Sequence, residues 1–572
     1  MIAAGSSQQA RRRRSRRWLA GLALPACLLA SHTDQAHARV TVQQTARAAV
    51  TVRGVLSAAS RSGRLTVDER YGYRRSLRRA LKVMRRLDET GETGRRDELG
   101  GQVVMLATLA ARGALSADRM RPLFRQLDAN RVWFSTRDAP RPVARVSVPA
   151  DPLVYAYYPG HGLQLQPLFN WTKVNAYWFA KDYDGMQRLI DRLAEVAVPQ
   201  RGGWVSWEYA WDYPGSRAPW KSGMAQGVAL QALARAWEAT GHPADLALAR
   251  RALPGLGVPL AEGGLLGRSS TGRWWPLYAA HPSLRVLNGD LQTIISLYDY
   301  AAITADDTAL AWAKDGARAA AAVLPLYDSG AWSLYQGSAE ASLVYHDLMT
   351  LQLRQLAYRS GNLAFRLYAD RFAQYRATPP VIAAMVSPIV FAYPSVADSP
   401  HATVSVRAHL DKVSDVTLLV SDERGRIVAM RRLHTQHRGT VRASWNGYTG
   451  RAPARPGAYE VWLRATDLAG NRSPRTFVRA ALVDRDTKAP AVRALRVKRD
   501  GRRILLRWRL TDNASGRVTI KISTGHRSVT LHRVALTGRK SLALSAGPGP
   551  FTAAITLTDE SGNRTWRARR GS

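Results

Sequence analysis

Between Arg273 and Tyr300 the chain reads RWWPLYAAHPSLRVLNGDLQTIISLYDY, with two Trp, three Tyr, two Arg and one His in one stretch. Flat aromatic faces and a few polar groups are what a sugar ring needs from a cleft, and guanidinium or ammonium groups pair with anions. Four cations, Lys173, Lys221, Arg273 and Arg285, have the chemistry for such a cleft, and so do five tryptophans, Trp204, Trp207, Trp220, Trp274 and Trp275. His161 and His346 are candidate ring or supporting ligands, and Asn288 and Trp220 stand at helix entries where they would line it. Taken singly, each of these residues is equally well explained by packing or by a solvated loop.

The elements that must position them are helical. YYPGHGLQLQPLFNWTKVNAYW, WKSGMAQGVALQALARAW, RVLNGDLQTIISLYDY and SLVYHDLMTLQLRQLAYRSG each run from a polar or aromatic loop into an amphipathic helix. In the second, Ser222 is the expected N-cap, with Leu230, Leu233 and Trp237 at helical spacing. In the third, Asn288 is the expected cap, Asp290 suits the helix dipole in the first turn, and Leu291, Ile294, Ile295 and Tyr298 form one face. Repeated helix pairs with aromatics at their mouths predict an α/α toroid with a carbohydrate cleft at one end. The stretch from Leu65 to Leu127 is also periodic at three and four residues and predicts further helices.

The order SGMAQG, VLNG with SLYD, LPLYDSG, SLYQ and finally YH at a helix start resembles the C-terminal domain of D-glucuronyl C5-epimerases, from about Tyr157 to Tyr375. That family inverts C5 of uronic acid units in polymers. The reaction needs acid/base groups on both faces of the ring and donors or cations for the enediolate charge. The resemblance implies that Tyr345 is an acid/base on one face, with Tyr278 and Tyr335 as acid, base or hydrogen-bond partner. A tyrosine serves as a base once neighbouring cations lower its pKa. The pattern departs in two places. Animal members carry Glu before the Tyr that precedes VLNG, where this chain has Leu277, and a His three residues after YH, where it has Met349. Tyr278, Tyr335 or His281 would then take the role of the Glu, or the chemistry has changed, or the fold only binds. A uronate lyase and a polysaccharide-binding protein without catalysis are therefore the alternatives to an isomerase.

The chain has 83 Lys and Arg against 43 Asp and Glu, a net charge of +40. Six of the Arg precede the apolar run WLAGLALPACLLA, which ends at Ala36-His37-Ala38 and predicts a signal peptide over 1–38, read by a twin-arginine-like or general secretory route. The only cysteine, Cys27, lies inside it, so no disulfide or thiol chemistry is expected; Pro25 argues against lipid attachment there. The remaining basic charge suits an acidic, uronate-containing polysaccharide and association with a cell envelope. A nucleic-acid partner would explain the charge and none of the motifs, and no stretch beyond the signal is long enough to span a membrane. Metal-ligand spacings, phosphate loops and Ser/His/Asp orders are missing, so no cofactor or metal is expected. Animal members of the family dimerise, which leaves a homodimer open.

After Thr378-Pro379-Pro380 the pattern changes to alternating strands. YEVWLRATDLAGNRSP and FTAAITLTDESGNRTW share an ending, with Asp467 and Asn471 in one and Asp559 and Asn563 in the other. With ARPGAYEVWL this resembles the immunoglobulin-like modules of flagellar hook-capping proteins and of secreted bacterial enzymes. The expected architecture is multidomain and mainly α, followed by two all-β sandwiches. Its parts are an N-terminal helical region over 39–145 that belongs to or packs on the toroid, the toroid over 146–380, and immunoglobulin-like domains over 381–487 and 488–572.

Overall fold

The computed structural model describes residues 40–213, 215–387, 390–391, 404–450, 452–455, 457–483, 488–501, 503–512, 517–524, 527–542, 550–559 and 563–571. The expected signal segment and Cys27 lie outside them. The chain divides into two compact units, Met1–Asp328 with Ser333–Ala373, and Ser329–Trp332 with Gln374–Ser572.

The first unit is built from helices α1 (Val42–Arg61), α2 (Val67–Glu89), α3 (Thr93–Ala111), α4 (Ala117–Phe134), α5 (Pro167–Ala180), α6 (Tyr183–Glu195), α7 (Gly223–Thr240), α8 (Pro243–Ala252), α9 (Leu287–Thr304), α10 (Asp307–Val323), α11 (Leu343–Ser360) and α12 (Leu363–Ala377). Capping boxes open the first two, Thr41 with Gln44 and Thr66 with Glu69, so that two otherwise orphan N–H groups are satisfied at each start. Ser222 caps α7 as its position predicts, its Oγ accepting from the N–H of Ala225 at 3.2 Å. Asn288 does not cap α9. That helix begins one residue earlier, after Val286, and Asn288 is buried within its first turn.

Two kinds of helix alternate. α7 and α9 are buried almost all round, whereas α6 buries a single face made by Gly185, Met186, Leu189, Ile190 and Leu193. α7 packs against α5 and α9, and α9 against α11, while α6, α8 and α10 pair with α5, α7 and α9 respectively. A shared charge network ties the four more central helices together near their C-terminal ends. Arg235 of α7 and Arg359 of α11 reach the Asp299 carboxylate of α9 at 2.8 and 2.7 Å, and Arg235 also donates to Asn175 of α5 at 2.7 Å. Burial alone would push Asp299 up, but Arg359 and Arg235 outweigh it and hold the carboxyl below the usual range. Among the described residues no helix is long and apolar enough to cross a membrane.

Strands β1 (Arg145–Ser147), β2 (Val154–Tyr158) and β3 (Gly162–Leu165) form a small antiparallel sheet that α3 and α4 hold in place. Glu98 of α3 accepts from the Tyr157 hydroxyl at 2.7 Å and from the N–H groups of Gly160 and Gly162 at 3.1 and 3.0 Å. Gly162 has φ +64°, and a Cβ there would lie 2.5 Å from Oδ1 of Asn130, so both backbone and space require glycine.

In the second unit, strands 382–387, 404–410 and 439–445 make one sheet, and 390–391, 476–483, 457–467, 414–422 and 427–436 another. Val404, Val406, Ala408 and Leu410 alternate with exposed residues and share a core with Val416, Leu418, Val461 and Leu463 of the second sheet. A separate core gathers Ile504, Leu506, Trp508 and Leu510 from one sheet with Val518, Ile520, Ile555 and Leu557 from another. The shared sequence ending has a structural reason in both. The Asp467 carboxylate accepts the Asn471 N–H at 2.9 Å and its Nδ2 at 3.0 Å, and Asp559 holds Asn563 in the same way at 2.8 and 2.9 Å. Each Asn then donates Nδ2 to a backbone carbonyl of the chain leading into its own strands, Arg376 at 2.7 Å and Lys488 at 3.4 Å.

Candidate active site

Three separate segments bring the tyrosines together. Tyr278 follows the strand Gly272–Trp274, Tyr335 sits in the strand Leu334–Gln336, and Tyr345 lies in the first turn of α11. The rings of Tyr335 and Tyr345 lie 4.7 Å apart, and the Tyr335 hydroxyl has those of Tyr345 and Tyr278 as hydrogen-bonding neighbours. A fourth tyrosine, Tyr213, comes from the loop between the strand Val205–Ser206 and α7. Its ring stacks on Tyr278 at 5.2 Å and 16°, and its hydroxyl is hydrogen-bonded to that of Tyr278. Trp220 joins them, 5.6 Å from Tyr278 and stacked on Tyr209 at 4.0 Å and 4°. The aromatic wall continues through Trp211 to Tyr158.

Burial governs the acidity of these phenols. It raises Tyr278 well above the usual tyrosine range, and Tyr335, Tyr213 and Tyr345 push in the same direction. Tyr335 is raised by burial and by Tyr213, against hydrogen bonds to Tyr345 and Tyr278 that pull it back. The expectation that cations depress a tyrosine here is corrected: no cation among the described residues is a main influence on Tyr278 or Tyr335. In the resting protein both are therefore neutral, suited to donate a proton or a hydrogen bond.

Several sequence expectations are relocated. Trp275 is fully buried, donates Nε1 to the Leu256 carbonyl at 2.9 Å and lies against Gly316, so it packs in the core beneath the pocket that Trp274 and Arg285 line. Trp207 is likewise core, donating to the Leu193 carbonyl at 2.8 Å, and Trp204 is buried beneath Lys221. His346 is fully buried: Nε2–H donates to the Phe372 carbonyl at 2.9 Å, which leaves Nδ1 to accept from the Ser333 hydroxyl at 2.8 Å. It braces the start of α11 beside Tyr345. Of the cations, Arg273 pairs with Asp315 at 3.3 Å, Lys221 donates to Gln200 at 3.0 Å, and Lys173 reaches the Pro152 carbonyl at 3.4 Å. Arg285 is exposed and lies over Trp274 at 4.4 Å. His161 is half-buried near Asp212, next to Tyr213 in the chain. Asn288 is fully buried, and neither atom of its side-chain amide has a protein partner among the described residues; nor has Oε1 of Gln352, whose Nε2 donates to the Asn288 carbonyl at 3.0 Å. Buried polar atoms of this kind ordinarily pair with an ordered water or a polar ligand group.

Leu277 is buried, its Cβ 3.0 Å from where a Cβ on Gly289 of α9 would lie. The nearest carboxyl along α9 is Asp290, which accepts the Trp275 N–H at 2.9 Å. It lines a pocket with Arg285, Trp274 and Tyr327, and none of the four clustered tyrosines borders that pocket. Burial pushes Asp290 up to about 7, against the Trp275 hydrogen bond and Arg285. The folded protein thus holds this proton more tightly than the unfolded chain. The contribution is full at low pH and is lost as pH rises from about 4 to 7, at up to roughly 1.4 kcal/mol per pH unit. Asp290→Asn keeps the acceptor and removes the titration. Thermal unfolding should show a gain over the parent that is larger at about pH 8 than at about pH 5, by up to about 3 kcal/mol; an equal gain at both would refute the raised acid.

With this geometry in place, the chain can be set beside known proteins. Residues 201–374 match the sequence model of the D-glucuronyl C5-epimerase C-terminus. The family resemblance carried by the motifs is thereby borne out for that segment, which holds all four tyrosines. Over 177 residues the chain is 28% identical to an uncharacterized protein of Methanocaldococcus jannaschii, covering 30% of this chain and 58% of that one. Over 176 residues it is 29% identical to the D-glucuronyl C5-epimerase of Caenorhabditis elegans, covering 27% of this chain and 29% of that one. The matches thus span 58% and 29% of these relatives' own lengths. Among solved structures, a GH76 alpha-mannanase of Bacteroides thetaiotaomicron aligns over 37% of this chain and 59% of that one, at 14% identity and a TM-score of 0.27.

Proposed function

We propose that this protein is an isomerase that inverts C5 of uronate units in an acidic polysaccharide. The observation that carries the reading is the convergence of Tyr278, Tyr335 and Tyr345 from three segments into one hydroxyl cluster beside the Trp220 wall. Tyr345 delivers or accepts the C5 proton on one face, and Tyr278 and Tyr335 hold the developing enediolate charge by hydrogen bonds. No cofactor enters this scheme. Arg285 over Trp274 supplies an exposed cation, apart from the tyrosine cluster, for carboxylates elsewhere along the polymer.

The same reading extends to the architecture. The alternation of enclosed and one-faced helices supports an α/α toroid, with α1 to α4 packed on it. The two separate β cores, each closed by an Asp–Asn loop, support a pair of immunoglobulin-like modules like those of flagellar hook-capping proteins. The Arg-rich leader supports export, and the excess basic charge supports a cell-envelope polysaccharide as partner. One observation favours a second reading: the buried Leu277 occupies the place of the family's carboxylate, as it would in a protein that binds uronate polymers without reacting.

Incubating the protein with uronate-rich polymers in deuterated water separates the readings. Deuterium at C5 with chain length preserved supports the isomerase. An ultraviolet-absorbing unsaturated end would instead mark a lyase, and retention on the polymer with neither signal would leave only binding.

A further inference from the structure

We propose that Tyr213 is the base on the face opposite Tyr345, in the role left open by Leu277; this rests on the isomerase reading above. Tyr213 is the less buried member of its stacked pair with Tyr278, whose ring is 4% exposed, so its hydroxyl is the more open of the two to a substrate. Burial raises Tyr213 above the usual tyrosine range as it does Tyr278, but the hydrogen bond between the two hydroxyls acts oppositely on them, pulling Tyr213 back down and pushing Tyr278 further up. Tyr278 is thus the donor that steadies a charged Tyr213. Tyr335, whose hydroxyl neighbours those of both Tyr278 and Tyr345, completes a hydroxyl array with Tyr213 at one end and Tyr345 at the other.

The loop that carries Tyr213 is fixed on both sides. The preceding Asp212 takes a bidentate pair from Arg112 of α3 at 2.7 and 2.8 Å and also accepts the Ala218 N–H at 2.8 Å. On the other side, Nδ1–H of His281 donates to the Gly215 carbonyl at 3.1 Å, and the Tyr213 and Ser216 backbones bridge each other. The chain segment 278–281 therefore holds both Tyr278 and the clasp of the Tyr213 loop. Asp290, the other group within reach in sequence, belongs to the separate pocket beside Arg285.

The step balances. The Tyr213 phenolate takes the C5 proton, and the C5–H electron pair moves into the carboxylate as an enediolate. Tyr345 gives its hydroxyl proton to C5 from the opposite face, the enediolate returns to carboxylate, and Tyr345 is left as phenolate. Proton transfer from Tyr213 through Tyr278 and Tyr335 to Tyr345 restores the resting state with no net gain or loss. The reverse reaction uses the same groups with roles exchanged.

Tyr213→Phe keeps the ring stack and the loop anchors and removes one oxygen. With the full chain and a polyglucuronate in deuterated water, it should lower kcat for C5 exchange by about a hundredfold or more with KM changed little. Incorporating a fluorinated, more acidic tyrosine at position 213 should move the alkaline rise of the rate to lower pH, a shift that a packing role would not produce. Wild-type kcat in Tyr213→Phe, or an unmoved pH profile, overturns the proposal, while loss of exchange in Tyr345→Phe would leave the isomerase reading standing. Absence of exchange by the parent protein on every uronate polymer would overturn both.

Discussion

Tyr345→Phe is expected to lower C5 exchange on a uronate polymer by about a thousandfold, within the range that a positioned acid or base contributes. The substitution is close to pure chemistry. The ring contact with Tyr335 at 4.7 Å remains, and the helix start stays braced by His346, which bonds Ser333 and Phe372 on its two nitrogens. Thermal unfolding should therefore be unchanged and polymer retention kept. Direct exchange measurement on the variant checks this, and a rate within threefold of the parent would remove Tyr345 from the mechanism. The raised phenols add a sign. Because burial favours the neutral form, the fraction able to act as base is small at neutral pH, and exchange should climb with pH through the alkaline range.

The second large effect is on stability. Lys412 and Asp467 are both about 1% exposed in the side chain and lie 2.8 Å apart. The ammonium also donates to the carbonyls of Tyr375 and Thr378, so its three donors are matched. Asp467→Ala strips a buried cation of its counter-charge and releases the Asn471 loop as well. The expected loss is about 3–5 kcal/mol in the transition of the module built on strands 382–483. Asp559 holds the matching loop in the other module, but no ion pair is recorded for it among the described residues. Asp559→Ala should therefore cost only about 1–3 kcal/mol. Denaturant unfolding of the two variants measures the difference, and equal losses would show that the loop, not the buried pair, carries the effect.

The sequence made Tyr278, Tyr335 and Tyr345 visible because each sits in a motif, and the order of motifs linked residues that no spacing rule connects. Tyr213 had no such mark. It lies in WDYPGSRAPW, where Pro and Gly erase periodicity, and only the folded loop places it on Tyr278. Helices were legible from their period, and Ser222 from its capping chemistry. Asn288 was not, since a helix entry in sequence does not say whether the polar residue starts the helix or is buried inside its first turn. Trp275 and His346 show the same limit from the other side. Aromatic density marks a floor and a core alike, and it is the partner atoms, the Leu256 carbonyl and the Phe372 carbonyl, that tell them apart. The expected lowering of a tyrosine pKa is not met at Tyr278 or Tyr335, and cations that are close in sequence are engaged elsewhere, Arg273 with Asp315 and Lys221 with Gln200.

The claim that the tyrosine cluster returns a proton to C5 from either face is tested most directly by approach to equilibrium from both sides. A glucuronate-rich polymer and its C5-inverted counterpart should converge on one ratio of the two uronates with chain length preserved, and neither polymer should be converted when Tyr345→Phe replaces the parent. Two starting polymers that keep their own configurations, or that shorten as they react, would contradict the account.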